Sequence, residues 1–172
     1  MTMPTISVLG IGNILLQDDG AGVRAVERLQ REYTFPDNVR LIDVGTTVYH
    51  NMGILAESEK LLVLDAVKLD GPPGTVYRFS ADEFRVKLPR KATSHDVGIL
   101  NALSMMALTG QTPPEAVIIG IQPKEYGRWG ESLSHEVEKG LDEMINEALR
   151  QLEAWEVSPV QNSEISHLKN HF

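Results

Sequence analysis

The most apolar run in the chain, residues 61–67 (LLVLDAV), places the strongest constraint on its fold. An unbroken apolar stretch of this length is typical of a parallel strand that helices cover on both faces. The run contains one charged residue, Asp65. A carboxylate among apolar neighbours loses its hydration and needs a compensating interaction. The run therefore predicts a central strand with a candidate functional acid, Asp65, near its end.

Strand and helix patterns alternate along the rest of the chain. Other strands are predicted at residues 5–10, 39–44, 75–79 and 116–121, and helices after Gly20, at 48–57, at 96–108 and after the capping residue Ser134. This alternation predicts a three-layer αβα sandwich around a mainly parallel, twisted sheet of about five strands. We assign residues 1–155 to a single α/β domain and expect the polar residues 156–172 to form a flexible tail.

Composition excludes several classes of function. The net charge of -8 disfavours binding to nucleic acid or to anionic lipid. The absence of cysteine excludes disulfides, thiolate metal sites and a cysteine nucleophile. No signal peptide and no apolar run near the roughly 20 residues of a membrane span is visible. We therefore expect a cytoplasmic protein without membrane contact, and a monomer.

Acids stand at the ends of three predicted strands. Asp18 and Asp19 follow the first, Asp43 lies near the end of the second, and Asp65 lies near the end of the third. His95 lies just before a predicted helix. We expect these residues to share one crevice, because the carboxyl ends of parallel strands meet at one edge of a sheet. Two carboxylates about 4 Å apart repel by ~4 kcal/mol at an effective dielectric of about 20, and a divalent cation would reverse that cost.

Two carboxylates with one imidazole suit zinc, nickel, iron or manganese, but each residue also has a purely structural interpretation. Asp65 and His95 can each serve only to hold the fold together. Asp43 can accept hydrogen bonds from the backbone amides of the turn at 45–47. Asp18 can face solvent or support the N-terminus of the following helix. The spacing of these residues is not a metal motif by itself.

A dinucleotide-binding fold is a rival interpretation. The GIG at residues 10–12 follows a strand, and Asp43 ends the next strand, as in that fold. However, Leu15 replaces the third glycine, and two negative charges at residues 18–19 stand where a pyrophosphate would bind. The nucleophile elbow, the Walker loop and the HExxH motif of familiar hydrolases are also absent.

The motifs around these acids resemble a known family. Residues 10–23 (GIGNILLQDDGAGV) are similar to the opening motif of the nickel–iron hydrogenase maturation endopeptidases. The same family pattern is matched by residues 43–46 (DVGT), 64–66 (LDA), 94–98 (SHDVG), 120–123 (GIQP) and 133–134 (LS). The resemblance runs in order from about residue 5 to about residue 155, and the joint pattern is specific.

This resemblance implies an endopeptidase that removes a C-terminal extension from the precursor of the hydrogenase large subunit, its protein partner. Family members cut after a His or Arg, and only once nickel has entered the precursor. Asp19, Asp65 and His95 would contact the metal, and Asp43 matches a further acid tied to function. Some members carry Glu where this chain has Asp19, which is one methylene shorter and makes the metal distance at that corner less defined.

The resemblance implies nickel supplied by the precursor rather than a permanent catalytic metal, at a site that can accept other divalent cations. Two chemistries stay open: polarisation of the scissile carbonyl or a water by the metal, and general-base catalysis by Asp43 or Asp19. Two other functions also stay open. One is a non-catalytic nickel-binding maturation chaperone that uses the same three ligands, and the other is a dinucleotide-binding oxidoreductase.

Overall fold

The main sheet has five strands, four of them parallel. The computed structural model describes residues 2–88 and 94–163, with the backbone alone described for 94–97. The strands are β1 (Ile6–Ile11), β2 (Tyr33–Thr34), β3 (Val39–Gly45), β4 (Lys60–Ala66), β5 (Val76–Ser80), β6 (Glu115–Ile121) and β7 (Val160–Gln161). The main sheet has the order β3-β1-β4-β6-β5, and β2 and β7 form a separate two-stranded sheet.

Strand β4 occupies the centre of the sheet, as its apolar run predicts. It pairs in parallel with β1 on one side and with β6 on the other. Every residue of β4 except Lys60 is buried. The strand predicted at residues 75–79 is also confirmed: β5 lies at one edge of the sheet and runs antiparallel to β6.

Helices cover both faces of the sheet. They are α1 (Ala21–Glu32), α2 (Met52–Glu57), α3 (Ala81–Lys87), α4 (Ser94–Leu108) and α5 (His135–Ala154). Helices α1 and α5 contribute the apolar cluster on one face, and α2, α3 and α4 contribute the cluster on the other. The predicted three-layer αβα sandwich is therefore confirmed. Among the described residues, no helix is long and apolar enough to cross a membrane.

Helix α3 is an element that the sequence patterns did not predict. Ser80 caps it, because its Oγ accepts a hydrogen bond from Glu83 N at 3.2 Å while Glu83 Oε2 accepts one from Ser80 N at 2.7 Å. This reciprocal capping box is a local S-x-x-E signal. Phe84 is the buried anchor of the helix at 1% exposure.

The segment that follows α5 differs from the predicted flexible tail over residues 156–163. Val157 is buried in the same apolar cluster as α1 and α5. Residues Val160–Gln161 pair with Tyr33–Thr34, and Asn162 Nδ2 donates to Arg31 O at 2.8 Å. These contacts hold the segment against the domain, and the average polarity of its sequence does not reveal them. Residues 164–172 lie outside the described residues.

Candidate active site

The carboxyl ends of β1, β3 and β4 bring three acidic segments to one edge of the sheet. Gly10 in β1 lies opposite Asp43 in β3 and opposite Leu64 in β4. Asp65 directly follows Leu64, and the turn that leads to α1 follows β1. The prediction that these acids meet at one edge agrees with the register of the sheet.

Helix α1 begins in direct contact with this edge because Gly22 has no side chain. A Cβ on Gly22 would lie 2.1 Å from Leu64 O and 2.6 Å from Ile11 O. Asp19 lies in a 3-10 turn (Asp18–Gly20) just before α1, and this turn contacts β4, the strand that carries Asp65, at the same corner of the sheet.

Both carboxylates at this corner are almost fully withdrawn from water. Asp19 and Asp65 are each 3% exposed. Asp19 Oδ2 accepts a hydrogen bond from Asn13 N at 2.9 Å. Burial of a carboxylate is costly, and a cation between two of them would offset that cost. Asn13 is a site residue that the sequence analysis missed, although it stands in the GIGN segment.

Asp18 has a different role from either of its predicted ones. It is fully buried and does not face solvent. Its Oδ2 accepts hydrogen bonds from Lys124 N at 2.9 Å, Glu125 N at 2.8 Å and Ser134 Oγ at 2.8 Å, and its Oδ1 accepts one from Ser134 N at 2.7 Å. The carboxylate therefore fixes the segment before α5, not the N-terminus of α1.

The loop between β6 and α5, residues 122–134, is joined to the segment before Asp18 by a short backbone ladder. Gln17 N donates to Gly130 O at 2.7 Å, and Gly130 N donates to Leu15 O at 2.9 Å. Gln17 has φ 49° and ψ -117°, a backbone conformation that is strained for a residue with a side chain. Such strain is typical of functional sites, where the surrounding structure holds it in place.

Lys124 in this loop is paired with Glu136 in the first turn of α5. Lys124 Nζ donates to Glu136 Oε1 at 2.7 Å. This hydrogen bond lowers the pKa of the Glu136 carboxyl and raises the pKa of Lys124. Lys124 is therefore already engaged by an acid near the start of α5.

Asp43 is exposed and has the structural contact that the turn predicts. Its Oδ1 accepts a hydrogen bond from Gly45 N at 2.8 Å. Gly45 has φ +59°, which a glycine adopts without strain. A catalytic role for Asp43 stays a prediction.

His95 lies in the first turn of α4, and its side chain lies outside the described residues. A Cβ on Gly98 in the same helix would lie 3.3 Å from Cγ2 of Val48, a residue that closely follows β3. The start of α4 is thus close to the carboxyl edge of the sheet. Among the described side chains, no three His, Asp or Glu residues are grouped so that they could hold a metal ion. A three-ligand metal site therefore stays a prediction that depends on His95.

Comparison with known proteins points to one family. The sequence matches the family model of HycI-type hydrogenase maturation proteases over residues 23–151. It is 37% identical over 163 residues to the hydrogenase expression/formation protein HupD of Rhodobacter capsulatus. The aligned region covers 94% of this chain and 78% of that protein.

Solved structures agree with the sequence matches. The fold is similar to the hydrogenase maturating endopeptidase HybD from Escherichia coli, with a TM-score of 0.85, 31% identity and coverage of 92% of this chain and 98% of that one. It is also similar to the [NiFe] hydrogenase maturation protease HybD from Thermococcus kodakarensis, with a TM-score of 0.71, 30% identity and coverage of 85% and 97%.

Proposed function

Because this chain belongs to the hydrogenase maturation protease family and is an endopeptidase that processes the hydrogenase large subunit, we propose that it removes the C-terminal extension of the precursor after nickel insertion. The cut falls after a His or Arg. Nickel is part of the substrate in this proposal, and the enzyme detects it by direct contact with Asp19, Asp65 and His95.

The observation that carries the proposal is the burial of two carboxylates at one corner of the sheet. Asp19 and Asp65 are each 3% exposed, and the close packing of Gly22 on Leu64 brings their segments together. Acids are rarely buried this fully, because their desolvation opposes folding unless a partner offsets it. Carboxylate oxygens and an imidazole nitrogen also suit a divalent first-row metal such as nickel.

The chain's own residues would position the substrate for hydrolysis. By binding the metal that the precursor carries, the three side chains fix the scissile bond relative to the edge of the sheet. The cation supplies polarisation of the scissile carbonyl. A carboxylate, Asp43 or Asp19, would accept a proton from the attacking water, whose oxygen bonds to the carbonyl carbon while the C–N bond breaks. The proton then passes to the leaving amine.

The test is to incubate the enzyme with nickel-loaded and nickel-free precursor and to measure the product masses. We expect the mass of one C-terminal peptide to be lost from the loaded precursor only. His95→Ala should abolish this loss, whereas His135→Ala, which changes an exposed histidine in the first turn of α5, should not. Normal cleavage by His95→Ala would show that the metal-contacting residues are wrongly assigned.

A further inference from the structure

The loop between β6 and α5 presents a large aromatic side chain to solvent at the edge that holds the buried acids. Trp129 is 79% exposed, whereas the other tryptophan, Trp155, is 7% exposed. Leu15, on the segment that pairs with this loop, is 42% exposed. Tryptophan is enriched among the residues that dominate protein–protein binding energy. We propose that Trp129 and Leu15 form a docking surface for the hydrogenase large-subunit precursor, with Trp129 as the main contact.

The loop that carries Trp129 is firmly held. Asp18 accepts three backbone hydrogen bonds from this loop, two near its start and one at its end, from Lys124, Glu125 and Ser134. The ladder between Gly130 and residues 15–17 holds its middle. Because the loop is ordered before the partner arrives, binding loses little conformational entropy.

The backbone at Gly130, the residue after Trp129, has a conformation that favours glycine, and this conformation fixes the position of Trp129 in the loop. Gly130 has φ +154°, and a Cβ there would lie 2.8 Å from Gln17 Nε2. The loop backbone therefore packs directly on the segment that leads into Asp18. This contact places Trp129 next to Leu15 in the ladder.

The precursor is the occupant because this surface is continuous with the proposed cleavage site, and in that respect the inference rests on the proposed function. The segment that carries Leu15 runs through Gln17 directly to Asp18 and Asp19. The loop's charges are largely neutralised, because Arg128 pairs with Glu125 at 3.3 Å and Lys124 pairs with Glu136 at 2.7 Å. Apolar contact rather than charge would thus dominate, and an apolar side chain of the precursor near its scissile bond fits best.

A second exposed apolar surface provides a matched control. Leu108 is 88% exposed, but it is the last residue of α4, whose first turn contains His95. A 15-residue helix is about 21 Å long, so Leu108 lies far from the start of α4. Loss of the exposed apolar side chain of Leu108 should therefore not weaken binding of the precursor.

The first experiment compares the kinetics of Trp129→Ala, Trp129→Phe and Leu108→Ala on nickel-loaded precursor. We expect Trp129→Ala to raise KM roughly tenfold with kcat within about twofold of wild type. The reason is that the lost contact stabilises the bound precursor and the transition state equally. Trp129→Phe should restore most of the loss, and Leu108→Ala should match wild type. An unchanged KM for Trp129→Ala, with unchanged melting temperature, would overturn the proposal.

The second experiment observes binding directly in full-length enzyme labelled with 5-fluorotryptophan. The fluorine resonance of Trp129, assigned by its loss in Trp129→Phe, should shift or broaden when precursor is added, and that of Trp155 should not. A Trp129 resonance that stays in place at saturation would overturn the docking surface. Failure of the cleavage site is a separate result: His95→Ala would then cleave normally while Trp129→Ala still raised KM.

Discussion

At the amino edge of the sheet, Glu115 is exposed and paired with a basic side chain, whereas Asp19 and Asp65 at the carboxyl edge are buried. Glu115, at the start of β6, accepts hydrogen bonds from Lys60 Nζ at 2.8 Å and from Trp155 Nε1 at 3.1 Å, and its side chain is 59% exposed. Asp19 and Asp65 at the other edge are each 3% exposed. An exposed ion pair adds little to stability, and a protein can lose it without consequence. Burial of an acid opposes folding unless an interaction offsets its desolvation, and this cost makes Asp19 and Asp65 candidates for a functional role.

The carboxyl edge also divides its acids between two tasks. Asp18 is surrounded by donors from the segment before α5, so its charge is compensated within the fold. Asp19, its immediate neighbour, lies at the corner shared with Asp65. Adjacent residues thus serve architecture and the proposed chemistry separately. Substitutions that separate activity from stability test this division.

The largest expected effect is on activity, for Asp65→Asn. Removing this charge should lower kcat/KM for nickel-loaded precursor at least about a hundredfold, which corresponds to about 2.7 kcal/mol of transition-state stabilisation. Glu115→Gln makes the same chemical change at the opposite edge and should leave kcat/KM within about twofold of wild type. Equal activities of the two variants would remove the functional distinction between the edges.

The next effect is on stability, for Asp18→Ala. The substitution leaves the amides of Lys124, Glu125 and Ser134 without their acceptor, so the free energy of unfolding in urea should fall by about 3 kcal/mol. Asp43→Ala, which removes one exposed hydrogen bond to Gly45 N, should lower it by about 1 kcal/mol or less. A stability loss for Asp18→Ala no larger than that for Asp43→Ala would refute the architectural role.

A third prediction concerns the close packing that brings the acids together. In Gly22→Ala, the new Cβ would lie 2.1 Å from Leu64 O, so α1 must shift and the free energy of unfolding should fall by about 2 kcal/mol. Gly53→Ala in α2 meets nothing within 4 Å and should instead raise it by about 0.5 kcal/mol. Urea unfolding of both variants gives the comparison. A stable Gly22→Ala would mean that the corner is less tightly packed than the structure indicates.

Local signals predicted one part of this architecture and could not predict the other. The central position of β4 follows from its own unbroken apolar run, and Ser134 as the cap of α5 follows from its immediate neighbours; its Oγ does accept from Val137 N at 3.4 Å. The partners of Asp18 lie more than 100 residues away along the chain, at separations of 106, 107 and 116. No spacing rule reveals such contacts, because the fold as a whole creates them.

Short elements were missed for a related reason. Helix α3 has only seven residues, too few for a helical period to stand out, and its capping box was the one local signal. Strand β7 has two residues and forms only through its antiparallel pairing with β2. The candidate site acids could be proposed from the sequence because an acid at or after the end of an apolar strand is itself a local signal. Their burial, by contrast, depends on the packing of α1 against the sheet.

The smallest expected effect is the pH dependence of the amino edge. Hydrogen bonds from Lys60 and then from Trp155 hold the pKa of the Glu115 carboxyl below its usual value. Because this pKa is lower in the folded protein than in the unfolded chain, the Glu115 carboxylate contributes fully to stability at a pH above its unfolded pKa. The contribution is lost as the pH falls through the lower pKa of the folded state. The difference in free energy of unfolding between wild type and Glu115→Gln should therefore be below about 0.5 kcal/mol at pH 7 and should disappear at a pH well below about 4. Salt at about 1 M should also reduce it, because the pair is exposed to solvent. A difference that persists in acid would show that Glu115 acts through packing rather than charge, and the two edges would then differ less than their exposure suggests.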